Sequence, residues 1–394
     1  MHGLSDTPIA PIPYLGGMES TGPDVPLTAA LDHDVSLAVV GLGYWGPNLV
    51  RCAVELESAH IKAICDSDSR ALAKLVRRYP GIGSTQDLGH LLDDPEIEGV
   101  MIATPVSTHF ELAKRCLRAG KHVLIEKPLA STVEECRELV ELAEERKLIL
   151  MPGHTFLYSP PVLKVKELLE AGELGELYFG TSSRVNLGIH QGDVSVVKDL
   201  APHDFSILLY WLGRPEFVRA IGRAAIVRDT IDVVFIDLGF PGGCLVHVEL
   251  SWLAPTKLRR TVLVGSKKMV VYEDTNTPEQ VRIFDRGVEM MEPQTFGEFQ
   301  LSYRSGDILT PRLDADEPLR LEVEDFIRAI RDGRQPRSNA TLGLDVVRLI
   351  EATERSLEYN SVPVAVDPSL DGRRGMPDRR RSEGGMPVLQ PPRQ

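Results

Sequence analysis

Residues 35–46 read VSLAVVGLGYWG, and this stretch limits what the chain can fold into more than any other. The apolar run Val35 to Val40 predicts a strand buried on both faces, as in a parallel sheet. Gly41, Gly43 and Gly46 follow in G-x-G-x-x-G spacing, and Pro47 falls in the first turn of the helical pattern beyond, where a missing N–H does no harm. Gly41 suits the tight turn, Gly43 the close approach of a pyrophosphate, and Gly46 the close packing of helix on strand. The free N–H groups and positive dipole end of that helix would then face the phosphates. A second apolar strand, His60 to Cys65, ends in Asp66, twenty residues past Gly46. A carboxylate there takes the ribose 2′-OH and repels a 2′-phosphate, so NAD is expected over NADP. Arg70 is the counter-argument, since a nearby arginine accepts that phosphate.

Bulk properties narrow the class. With 394 residues the chain has room for two domains and a large core. Its net charge of −13 argues against a general nucleic-acid surface, although a local pocket can still be basic. No apolar run approaches the roughly 18 residues of a membrane span, and the first residues lack a charged and then apolar leader. The five cysteines, Cys52, Cys65, Cys116, Cys136 and Cys244, are scattered without a C-x-x-C pair. They predict reduced core thiols in a cytoplasmic protein. No histidine or cysteine cluster has the spacing of a metal site.

Residues 1–34 are rich in proline, glycine and small residues without periodicity, and a disordered extension is expected. From 35 to 151 strand and helix patterns alternate, with further strands over 99–103, 121–125 and 148–151. This predicts a doubly wound parallel α/β sheet, a Rossmann-type NAD-binding domain, with Gly41, Asp66, Thr104 and Lys127 all at strand carboxyl ends. From 152 to 366 the pattern predicts a substrate-binding α/β domain with a large, mainly antiparallel open sheet. Its strands are expected over 176–187, 217–227, 231–240, 244–253, 259–272 and 281–284. Helices over 160–171, 199–212, 319–332 and 342–358 are expected on one face. The other face is expected to pair with a second copy, giving a homodimer or homotetramer. Residues 367–394, with their arginines, are expected to form a disordered tail.

Several side chains are candidates for chemistry. Lys127 follows an apolar strand at the mouth of the dinucleotide crevice, where a partly desolvated lysine donates hydrogen bonds or moves protons. Asp199 and His203, four apart at the start of a helix with Pro202 in its opening turn, share one face. A carboxylate that orients an imidazole makes a competent general base. Asp204 reads as a surface or capping residue. His154 and Tyr158, in GHTFLYSP, either contact substrate or pack between domains. Arg184, Asn186 and His190 lie on or after a strand beside the site, and Arg184 could pair with a substrate phosphate or carboxylate. His109 and His122 read as structural.

GLGYWG at 41–46, ATPVSTH at 103–109, GKHVLIEKPLA at 120–130 and DLAPHD at 199–204 stand in order along the chain. With these motifs it resembles the glucose–fructose oxidoreductase / inositol dehydrogenase / rhizopine-catabolism (Gfo/Idh/MocA) family of NAD(P)-dependent sugar oxidoreductases. The resemblance runs from about 35 to 366. It implies an N-terminal Rossmann domain and a second domain whose open sheet serves oligomerisation. It implies that Gly41, Gly43, Tyr44, Trp45, Gly46, Asp66, Ala103, Thr104, Pro105, His109, Glu126 and Lys127 hold the dinucleotide. It also implies that Lys127, Asp199 and His203 are catalytic, with His203 the acid/base. GHTFLYSP and RVNLG are similar to the branch acting on nucleotide sugars, such as UDP-N-acetylhexosamines and their uronates, with Ser159 a departure from its Asn-Pro context. In that branch Lys127, His154, Tyr158, Arg184, Asn186, Asp199 and His203 would meet a small-molecule sugar substrate.

Overall fold

In the computed structural model, residues 34–188, 194–275, 279–291 and 300–366 are described. His190, residues 1–33 and the arginine-rich tail from 367 lie outside the described residues, and so do the expectations attached to them. The apolar runs of the first part form β1 (Val35–Val40), β2 (Ala59–Cys65), β3 (Gly83–Thr85), β4 (Gly99–Ile102), β5 (His122–Glu126) and β6 (Leu150–Gly153). They pair in parallel in the order β3-β2-β1-β4-β5-β6. Every residue of β1 and β4 is buried, because helices cover both faces. Those helices are α1 (Gly46–Val54), α2 (Ser69–Arg78), α3 (Leu88–Leu92), α4 (His109–Arg118) and α5 (Val133–Arg146). Chain order reverses between β1 and β4, which opens a crevice at their carboxyl ends.

The second part contributes α6 (Pro160–Glu170), β7 (Leu177–Leu187), α7 (Val196–Leu212), β8 (Phe217–Arg223), β9 (Val233–Gly239) and β10 (Leu245–Ser251). It continues through β11 (Leu253–Gly265), β12 (Met269–Glu273), β13 (Val281–Met291), β14 (Gln300–Leu309), α8 (Pro318–Asp332), α9 (Ala340–Glu358) and β15 (Val364–Ala365). Its strands form a mixed sheet in the order β14-β13-β12-β11-β7-β10-β9-β8-β15. Among the described residues of this sheet, β7 and β10 pair in parallel and the other neighbouring strands pair antiparallel.

The fold class is as expected from sequence, while several local expectations change. The single strand over 259–272 is two strands, because the chain turns between β11 and β12 with Gly265 N–H donating to Lys268 O at 3.0 Å. β3, β14 and β15 add to the strands expected from sequence; they are short or largely polar and carry little strand signal. α7 begins at Val196, where Ser195 Oγ accepts from Lys198 N–H. Pro202 therefore stands inside the helix and not in its opening turn. α8 crosses back onto the parallel sheet. A Cβ added to Gly99 on β4 would meet Ile330 and Phe326 of α8 at 3.1 and 3.2 Å. Phe326 and Phe205 of α7 are both fully buried, each worth about 1.5–3 kcal/mol of burial. All five cysteines are buried and unpaired.

Candidate active site

The glycine turn has the shape that a dinucleotide needs. Gly41 has φ +89°, and a Cβ there would lie 2.7 Å from the Ala103 carbonyl oxygen and from Thr104 Cγ2. A Cβ on Gly46 would fall 1.9 Å from the Gly41 carbonyl oxygen, so α1 packs against the turn as only glycine permits. At Gly43 a Cβ would meet nothing within 4 Å. That open space lies before the free N–H groups of α1, where a pyrophosphate fits. Asp66, at the end of β2, is fixed beside the turn: its Oδ2 accepts from Leu42 N–H at 2.5 Å and its Oδ1 from Asp68 N–H at 2.7 Å. Tyr44 and Trp45 project from the turn as an edge-to-face pair with centroids 5.3 Å apart. Ala103, Thr104 and Pro105 leave β4 directly opposite Gly41. These residues fit NAD.

A cleft of about 510 Å³ opens at these strand ends, with Trp45, Asn48, Glu126, Lys127, Phe156 and His203 in its lining. A larger hollow of about 1040 Å³, between α5 and the start of α9, contains none of the expected site residues. In the cleft, Lys127 Nζ donates to the main-chain carbonyl of Asp199 at 3.4 Å. Burial pulls the Lys127 ammonium below the ordinary lysine range, opposed by the charges of Asp199 and Glu126. His203 packs edge-on to Phe156 at 5.1 Å. Burial, and then the positive charges of Lys127 and Arg184, hold its imidazole well below the usual histidine range, so it is neutral at neutral pH. His154 is enclosed beside them, depressed by burial to about 3, with neither ring nitrogen hydrogen-bonded among the described residues. Burial raises the Glu126 carboxyl to about 7.

Some expected assignments need correction. Asp199 does not hold the His203 ring: no hydrogen bond joins them, and Asp199 Oδ2 instead accepts from the Trp252 indole N–H at 3.0 Å. Asp204 is not a surface residue. It is 4% exposed, accepts from Ser182 Oγ at 2.8 Å and is ion-paired with Arg184 Nε. Arg184 is accordingly buried, with its guanidinium 4.8 Å from the Phe156 ring centroid and its Nη1 without a hydrogen-bond partner among the described residues. Tyr158 packs between elements: it is 1% exposed, its OH donates to Asp325 Oδ2 at 2.7 Å, and Ser338 N–H donates to that OH. His109 bridges Thr104 O and Pro128 O, both at 2.9 Å, and so fixes the two loops without facing the crevice. Asn186 lies half-buried on β7 and outside the cleft lining.

Trp252, Phe156 and Arg259 were not singled out from sequence. Arg259 lines the cleft, pairs with Asp274 at 2.9 Å and lies 5.7 Å from the Phe156 ring. Nothing in the local sequence separates it from neighbouring Arg260. Among the described residues no group of His, Cys, Asp and Glu is gathered to hold a metal ion.

Comparison with known proteins agrees with this geometry. Residues 35–154 match the oxidoreductase family with an NAD-binding Rossmann fold, and residues 162–271 match the GFO/IDH/MocA C-terminal domain. A UDP-N-acetylglucosamine 3-dehydrogenase of Acidithiobacillus ferrooxidans is 30% identical over 60% of this chain and 71% of its own length. A scyllo-inositol 2-dehydrogenase (NAD(+)) of Bacillus subtilis is 26% identical over 86% of this chain and 98% of its own. A solved structure of the Acidithiobacillus enzyme aligns with a TM-score of 0.69 at 25% identity, covering 83% of this chain and 98% of that one.

Proposed function

The chain belongs to the Gfo/Idh/MocA oxidoreductase family, and from that premise we propose that it interconverts a secondary alcohol of a sugar and the corresponding ketone, with a nucleotide sugar as substrate. One observation carries this reading. Lys127, from the end of β5, and the neutral imidazole of His203, from α7, line the same cleft beside the glycine turn. Bound NAD supplies the acceptor for the carbinol hydride. His203 accepts the hydroxyl proton, which its neutral state at working pH permits. Lys127 donates to the same oxygen and steadies its developing charge. Asp199 positions Lys127 through its carbonyl, while Trp252 fixes the Asp199 carboxylate nearby. The nucleotide sugar is supported by the GHTFLYSP and RVNLG resemblance and by the UDP-N-acetylglucosamine 3-dehydrogenase relative.

A second reading, an inositol or free-sugar dehydrogenase, is favoured by the Bacillus relative, which matches along nearly its whole length. NADH formation followed on UDP-N-acetylglucosamine, its uronate, scyllo-inositol, myo-inositol and glucose separates the two. The proposal expects kcat/KM on a UDP sugar at least tenfold above every other compound. A preference for an inositol replaces it with the second reading, and NAD binding without turnover on any compound points to a sensor or scaffold.

The sheet face away from the helices exposes Phe235 of β9, Leu245 of β10 and Phe179 of β7, with Leu245 and Phe179 paired in register. We assign this face to a second copy of the chain, in a dimer or tetramer, since exposed apolar area of this kind marks an interface. Light scattering that returned a monomer mass would remove that assignment. No helix among the described residues is long and apolar enough to cross a membrane. The five unpaired cysteines support a cytoplasmic location.

A further inference from the structure

Arg259 of β11 is a half-buried part of the cleft lining, and its Nη1 donates to Asp274 Oδ2 at 2.9 Å. Its Nε and Nη2 make no hydrogen bond among the described residues. Asp274 thus fixes the guanidinium and leaves donors of its rigid fork open. The register of β11 on β7 sets Arg184 directly opposite Arg259. Both guanidiniums approach one ring, Phe156, at 4.8 and 5.7 Å from its centroid. Arg184 is 3% exposed; Asp204 engages its Nε, while its Nη1 is buried without a partner among the described residues. Like charges directly opposite each other across two strands repel, and a buried N–H without an acceptor is unfavourable. One oxyanion would relieve both. The fixed carboxylates of the lining are already engaged, Glu317 by Arg51 and Asp274 by Arg259, and burial raises Glu126 to about 7. Phe156 also packs 5.1 Å from the His203 ring, so Arg259 stands within the reach of one sugar unit from the proton-accepting imidazole.

We propose that Arg259, together with Arg184, binds a carboxylate or phosphate carried by the same sugar ring whose hydroxyl is oxidised, so that the preferred substrate is an acidic sugar and not its neutral parent. A guanidinium meets either oxyanion through charge-assisted, forked hydrogen bonds. Arg259 is in this way a specificity determinant, a role distinct from the proton and oxygen chemistry of His203 and Lys127. The inference rests on the reading that a sugar alcohol is oxidised in this cleft.

The test measures kcat and KM on the full chain for matched compounds: UDP-N-acetylglucosamine with its uronate, and glucose with glucuronate and glucose 6-phosphate. The two UDP sugars carry the same diphosphate, so their ratio reads the ring carboxylate alone. Wild type is expected to favour an acidic compound over its neutral parent about tenfold or more in kcat/KM. A preference shown by the uronates identifies the anion as a carboxylate, and one shown only by glucose 6-phosphate identifies it as a phosphate. Arg259→Gln should abolish the preference, chiefly through KM, and Arg259→Lys should keep part of it. Arg260→Gln, on the opposite face of β11, should match wild type. Equal kcat/KM for acidic and neutral compounds in wild type, a comparison that needs no variant to fold, would overturn the anion site and leave the hydride-transfer reading intact. So would a preference that survives in Arg259→Gln, or turnover confined to inositols. NAD binding without turnover on any sugar or inositol would overturn both readings.

Discussion

Lys127 Nζ and the main-chain carbonyl oxygen of Asp199 meet at 3.4 Å, joining the end of the parallel sheet to the first turns of α7. Pro202 bears on this contact. As an interior helical residue it supplies no N–H to the Lys198 carbonyl, and its ring crowds that turn. The adjacent carbonyl of Asp199 is the one that Lys127 engages. Pro202→Ala should let the turn close, raising Tm by several degrees while lowering kcat/KM severalfold. Thermal denaturation and steady-state kinetics on the same preparation check both. A variant that is destabilised with unchanged kinetics contradicts this account of Pro202.

Trp252 anchors the Asp199 carboxylate through its indole N–H. Trp252→Phe keeps an aromatic ring and removes the donor. We expect a kcat/KM loss of about tenfold, together with about 1–3 kcal/mol of stability from the volume lost at a site only 1% exposed. Denaturant melts separate the packing term from the kinetic one, since packing alone would leave kcat/KM of the folded enzyme unchanged.

Gly43 offers a clean probe of the dinucleotide cradle. A Cβ there meets no atom of the protein within 4 Å, so Gly43→Ala should fold with wild-type Tm. The added methyl group would occupy the space read as the pyrophosphate position, and Kd for NAD should rise at least tenfold. Calorimetric titration with NAD decides this. Gly46→Ala, which would place a Cβ 1.9 Å from the Gly41 carbonyl oxygen, should instead lower Tm.

The pH profile follows from two shifts of known sign. His203 acts as base only when neutral, and its depressed pKa keeps it neutral down to acidic pH. The acid limb of kcat/KM should therefore lie below pH 6.5, the ordinary histidine value. Lys127 donates only when protonated, and burial lowers its pKa, so the alkaline limb should lie below 10.5. An acid limb at or above pH 6.5 would show that the imidazole is not enclosed as described.

Much of this was legible in the chain because the signals are short-range. The run Val35 to Val40 and the glycines at 41, 43 and 46 specify strand, turn and helix within twelve residues. Lys127 and His203 could likewise be read from a strand end and a helical spacing. The partners of these groups could not. Trp252 reaches Asp199 across 53 positions, and its selection depends on the bulged pairing of β11 with β7. Asp204 looked like a surface residue because charged side chains are rarely buried. The structure buries it because α7 is enclosed on most sides and Arg184 comes from β7 to neutralise it. The choice of Arg259 over Arg260 is a matter of strand register, with Arg259 opposite Arg184 and Arg260 opposite Ser183. Alternation says that the two point to opposite faces, but not which face meets the cleft.

The central claim is that an imidazole and an ammonium from separate parts of the fold act on one substrate oxygen. Its most direct test compares His203→Asn and Lys127→Met with wild type, measuring kcat/KM by NADH formation on the best substrate of the panel and Kd for NAD in parallel. Each variant should lose at least about 100-fold in kcat/KM, and His203→Asn should keep its NAD affinity within a few-fold. Near wild-type turnover in both variants would contradict the account.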